Sequence, residues 1–131
     1  MVLMERYLQT RGGMPDHASV RHLCSELVSV IYRGKGGRQH SASGNLEEIG
    51  EWSTLVLTET PIARCTRVRI ACAAHELKGF VRSCTHQKTL GFFVDVRLDQ
   101  ESRWSEQWFT PGHLLTLCRD LQPKVLHRGV A

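Results

Sequence analysis

The chain has 131 residues, 41% hydrophobic and 23% charged, which fits one domain with a real core and excludes a disordered chain. The formal net charge is +4 and the pI about 9.0, a mild basic bias that suits either an anionic ligand or a solvated surface with a few extra arginines. No apolar run approaches the ~20 residues that span a bilayer, and Glu5 and Arg6 fall where a signal peptide carries its apolar stretch, so a cytoplasmic protein without membrane insertion is expected.

Residues 2–10 suit a short helix, which Gly12-Gly13 and Pro15-Asp16 break; residues 1–20 read as an N-terminal extension. From Glu26 the signals turn to strand. Leu27-Val28-Ser29-Val30-Ile31-Tyr32 is apolar and β-branched. Arg33-Gly34-Lys35-Gly36-Gly37-Arg38 follows, a turn or loop in which glycine permits positive φ. Gln39–Ile49 and Thr54–Thr58 are the next strands, and Pro61 lies in the connection after them.

Arg67-Val68-Arg69-Ile70-Ala71-Cys72 alternates cleanly, with Val68, Ile70 and Cys72 expected inward and the two arginines outward. Leu77–Thr85 continues as strand through Gly79. Phe92, Val94, Val96 and Leu98 alternate with Phe93, Asp95 and Arg97, the clearest half-buried strand of the chain. Six short strands with turn signals between them suggest a small barrel or sandwich. Thr110-Pro111 then looks like a helix N-cap with proline at the first helical position. Such a helix would run to about Leu121, with Pro123 stopping it and Leu114, Leu115 and Leu117 packing on the barrel. Trp104 and Trp108, just before it, are placed to plug one end.

The order and spacing of these segments resemble a PilZ domain over roughly residues 21–117. Glu26–Tyr32 resembles that family's first strand. Asn45-Leu46-Glu47-Glu48-Ile49-Gly50 resembles the segment carrying its second ligand motif. Pro61–Ile70, with Thr66-Arg67-Val68-Arg69-Ile70, resembles the strand after its central turn. Leu77-Lys78-Gly79-Phe80-Val81-Arg82 and Leu90-Gly91-Phe92-Phe93-Val94-Asp95-Val96 resemble the two strands that follow. The resemblance implies a mainly β fold: a six-stranded antiparallel barrel with a short C-terminal helix, in a domain over residues 21–121 with a tail at 122–131. It also implies a receptor or adaptor for cyclic di-GMP that meets a protein partner.

In the family, an Arg-x-x-x-Arg pair before the first strand stacks on guanine and pairs with phosphate, a task suited to a planar, permanently charged fork. An Asp/Asn-x-Ser-x-x-Gly motif after the second strand reads a guanine edge. Carried over, the ligand-binding residues here are Arg21, Glu48, Gly50, Trp52 and Ser53. The sequence departs from both motifs. Arg21 has His17 and Ser25 at the four-residue positions, so one arginine is missing. Glu48 keeps a carboxylate but is longer, Gly50 lacks the hydroxyl, Ser53 replaces the glycine, and Trp52 adds bulk. Each lost charge-assisted hydrogen bond costs roughly 1.5–3 kcal/mol. Cyclic di-GMP is therefore expected to bind by a different geometry or not at all, and a ligand-free protein–protein interaction module is the alternative.

Other constellations stand apart from that resemblance. Arg33, Lys35 and Arg38, with His40 behind them, form the densest basic and glycine-rich patch, a candidate anion-binding loop. It is not a P-loop, because the Gly-Lys-Ser/Thr ending is absent. The outward arginines Arg67, Arg69, Arg82 and Arg97 fall on neighbouring strands and suggest a basic face for nucleic acid, a less favoured reading because Phe80 and Phe93 are the only aromatic candidates there. Cys72 with His75 and Cys84 with His86 lack the usual zinc spacing, so no metal or cofactor is expected. No cysteine of the five (Cys24, Cys65, Cys72, Cys84, Cys118) sits in a C-x-x-C or catalytic context, and no G-x-S-x-G is present. The glutamates Glu47, Glu48 and Glu51 suit a solvated turn. The expectation is a binding module and not an enzyme.

Overall fold

The computed structural model describes residues 21–116. The expected extension at 1–20, the tail at 122–131 and the helix portion at 117–121 lie outside the described residues. The strands are β1 (Arg21–Arg33), β2 (Gln39–Gly50), β3 (Ser53–Thr58), β4 (Arg67–Cys72), β5 (His75–Gln87), β6 (Gly91–Leu98) and β7 (Leu115–Thr116). Their order is β2-β3-β6-β5-β4-β1-β7, and an additional β1–β2 pairing closes the first six into an antiparallel barrel. Closure gives each of those strands a neighbour on both sides over at least part of its length, which limits the unpaired backbone that so small a sheet presents. Two single 3₁₀ turns, Lys35–Gly37 and Gln100–Ser102, are the helical elements among the described residues.

Period-two alternation puts one apolar row of each strand inside. Val28 and Val30 of β1, Val56 of β3, Val68, Ile70 and Cys72 of β4, Leu77 and Val81 of β5, and Val94, Val96 and Leu98 of β6 join one buried cluster. The inward and outward assignments expected for Arg67–Cys72 hold.

Two of the register shifts explain where the alternation breaks in β2 and β5. In β2, Leu46 and Ile49 are both fully buried although three residues apart. Strict alternation would send Glu48 to the same side as Leu46. A bulge between Leu46 and Glu48 absorbs the extra residue, so Glu48 opposes Leu55 and Ile49 opposes Thr54. In β5, the shift between Val81 and Ser83 lets Val81 and Cys84 both turn to the core and leaves Arg82 to meet Asp95 at 3.1 Å. Gly79 opposes Leu98. A Cβ there would collide with the Arg97 carbonyl, so the close approach of β5 to β6 requires glycine.

The helix expected to start at Thr110-Pro111 does not form over the described residues. The Gly112 amide donates to the Glu26 carboxylate at 2.7 Å, and the Ser25 amide donates to the Gly112 carbonyl at 2.9 Å. His113 takes φ 56, which ends any helical path, and Leu115–Thr116 pair with Leu23 and His22. The cause is an open edge. β4 covers β1 only from Ser29 to Tyr32, so the N-terminal half of β1 has ladder groups to satisfy on that side. Strand addition satisfies them, and this outweighs a local capping signal.

Trp104 takes a core position: it is buried in the apolar cluster, meets His22 edge-on at 5.3 Å and donates from Nε1 to the Phe109 carbonyl at 3.0 Å. Trp108 does not share that position. It is 38% exposed and rests against His75 and Phe109. Among the described residues no helix is long and apolar enough to cross a membrane.

Candidate functional site

Two regions carry chemistry. The first is where the ligand motif was expected. Arg21 opposes Gly50 in the β1–β2 ladder, and its guanidinium forms a 3.0 Å ion pair with Glu48. The two side chains are only 9% and 3% exposed. A guanidinium held this way is not presented for stacking on a base. Ser53 is buried and opposes Arg97. Trp52, half-buried in the β2–β3 turn, lies under two guanidinium groups: Arg103 at 5.2 Å and Arg97 at 5.9 Å from its ring centre. Arg103 also pairs with Glu51 at 3.1 Å. The structure thus brings Arg21, Glu48, Gly50, Trp52 and Ser53 together, but two of them answer each other's charge.

The second region is a cavity of about 530 Å³ where β1 ends and β4 begins. That volume is within the usual range for a small-molecule site. The β1–β4 pairing stops at Tyr32 opposite Val68, and beyond it the two chains part. Arg33, Arg67, Arg69 and Lys78 line the opening with Tyr32, Gln39 and Thr66. The cations arrive from three strands because the ladder aligns them: Arg69 opposes both Ile31 on β1 and Lys78 on β5.

Their charges are partly answered. Arg67 donates through both terminal nitrogens to Asp99, and that hydrogen bonding raises its pKa above the ordinary arginine value. Arg69 meets Glu76 at 3.1 Å. Arg33 donates to the Gly37 carbonyl at 2.8 Å. Lys78 and Arg33 make no ion pair among the described residues. The three arginines thus aim donors at Asp99, Glu76 and the Gly37 carbonyl, and Lys78 adds a fourth cation at the opening.

The glycine-rich loop contributes less than expected. Gly36 and Gly37 take φ 80 and 78, so the turn requires them. However, the Gly34 amide donates to the Arg38 carbonyl and the Gly37 amide to the Gly34 carbonyl, which closes the loop on itself. Those amides form no anion nest. Of Arg33, Lys35 and Arg38, only Arg33 lines the cavity.

Comparison with family models, curated proteins and solved structures returned no match. The site rests on its own geometry. Among the described residues no group of three or more His, Cys, Asp and Glu side chains is placed to hold a metal ion. Cys72 and His75 face each other across the β4–β5 turn, whereas Cys84 and His86 lie at the far end of β5. Burial pushes the Cys24 and Cys72 thiols up to about 12, which suits core packing and not nucleophilic attack.

Sequence reasoning missed Lys78, Gln39 and Thr66 at the cavity and Arg103 on Trp52. Lys78 had a legible signal, an outward position between Leu77 and Gly79. Arg103 had none, because its partner is reached only through the 3₁₀ turn at Gln100–Ser102.

Proposed function

We propose that the chain is a PilZ-like binding module, without chemistry of its own, that takes a phosphate-bearing nucleotide in the basic cavity between β1 and β4. One observation carries the reading: Arg33, Arg67, Arg69 and Lys78, from three strands, converge on one cavity of about 530 Å³ beside Tyr32. Guanidinium and ammonium donors at such a mouth suit phosphate, and a tyrosine beside them suits a base or sugar. The Arg21–Glu48 pair argues against ordinary cyclic di-GMP geometry at the β1–β2–β3 corner. A cytoplasmic setting accords with free Cys24, Cys65, Cys72 and Cys84.

Isothermal calorimetry of the full chain with cyclic di-GMP tests this. Binding with Kd at or below ~100 µM, lost in Lys78→Glu and kept in Arg21→Lys, is the expected result. Loss in Arg21→Lys with retention in Lys78→Glu would return the site to the family's usual corner. No heat with either cyclic di-GMP or GDP sinks the nucleotide reading. The ligand-free protein-interaction reading would then lead, favoured by Leu27, an apolar side chain 83% exposed on the outer face of β1.

A further inference from the structure

The cavity does not end the cationic surface. Cross-strand pairing sets Arg67 on β4 opposite Phe80 on β5, Phe80 opposite Arg97 on β6, and Arg97 opposite Ser53 on β3. All four lie on the outer side, since their neighbours Val68, Val81, Val96 and Thr54 point into the barrel. Three strand spacings make this row about 14 Å long. At its far end Trp52 lies beneath Arg97 and Arg103. Cations and aromatic rings therefore alternate across the wall: Arg67, Phe80, Arg97, Trp52, Arg103. The carboxylates Asp99 and Glu51 answer Arg67 and Arg103, while Arg97 makes no ion pair among the described residues.

From this we infer that the row from Arg67 to Trp52 is a track for single-stranded nucleic acid, leading out of the cavity. The inference rests on the cavity reading for where one phosphate is held. Alternating positive charge and flat side-chain faces is the pattern that single strands recognise: the charge follows the backbone, and unpaired bases stack on a ring such as Phe80 or on the guanidinium planes that Trp52 holds, whatever their sequence. A duplex hides its base faces and gains nothing from Phe80 or Trp52. An acidic peptide would use the cations alone.

Fluorescence anisotropy with a labelled oligomer of about twelve thymidines tests the track on the full chain. The expected result is binding tighter than that of cyclic di-GMP, weakened about five- to a hundredfold by Phe80→Leu or Trp52→Leu, the worth of one stacked base. Leucine keeps apolar bulk at each place without a stacking face. Cyclic di-GMP binding should be unchanged in Phe80→Leu. Wild-type oligomer affinity in both leucine variants overturns the track, as does equal affinity for a duplex of the same length or equal displacement by polyglutamate. Cyclic di-GMP binding without tighter oligomer binding overturns the track and leaves the cavity reading standing. Phe80-dependent oligomer binding without cyclic di-GMP binding does the reverse.

Discussion

Arg21 at the start of β1 and Glu48 near the end of β2 form a 3.0 Å ion pair, both side chains nearly excluded from solvent. Removing one partner takes this ion pair away from a buried charge. Glu48→Gln or Arg21→Ala should lower stability by about 3–5 kcal/mol, read as a reduced urea midpoint. The double variant Arg21→Met with Glu48→Leu should recover most of that loss. Single variants within 1 kcal/mol of the wild type, a roughly fivefold change in the folding equilibrium, would show that the pair is not structural.

Gly79 and Gly36 separate two uses of glycine. A methyl group at Gly79 meets the Arg97 backbone, which cannot give way without opening the β5–β6 ladder. Gly79→Ala should cost about 3 kcal/mol or more, the upper end for overpacking. Gly36→Ala meets open space and bears only the strain of positive φ, about 1–2 kcal/mol. Thermal unfolding of the two variants should rank them in that order; the reverse would mean the barrel wall relaxes at Gly79.

Burial raises the thiols of Cys24 and Cys72 to about 12 from an ordinary 9.0. Between those values the unfolded chain releases the thiol protons while the folded chain keeps them. Stability from these groups is therefore full below about pH 9 and falls as pH rises toward 12. A urea midpoint that declines between pH 8 and pH 10.5, with a shallower decline in Cys24→Ala with Cys72→Ala, is expected. Equal slopes would remove the thiols as the cause. Ellman's reagent at pH 8 should label exposed Cys65 well before either buried thiol.

Salt should reveal the cavity's share of any single-strand binding. Each phosphate contact contributes a slope of about −0.7 in log affinity against log salt concentration. Lys78→Gln should flatten the slope by about that amount. An unchanged slope would place the backbone away from Lys78.

The strands were legible because their residues alternate by two. Val68, Ile70 and Cys72, or Val94, Val96 and Leu98, announce a face whatever lies across from it. Even the β2 bulge left a trace in the three-residue step from Leu46 to Ile49. No helix starts at Thr110-Pro111 because that dipeptide is a local signal, and the competing interaction, the stretch of β1 that β4 leaves uncovered, exists only after the barrel closes.

The order of residues alone shows that Arg67–Cys72 and Phe92–Leu98 each bury an apolar row and that Arg67, Arg69 and Arg97 turn outward. That follows from backbone geometry, in which side-chain direction depends on the neighbouring residues alone. Tertiary structure decided what those charges face. Register between distant strands paired Arg21 with Glu48, gathered Arg33, Arg67, Arg69 and Lys78 around one cavity, and set Arg97 over Trp52. Electrostatic partnership depends on separations of a few ångströms in space, which order along the chain does not encode.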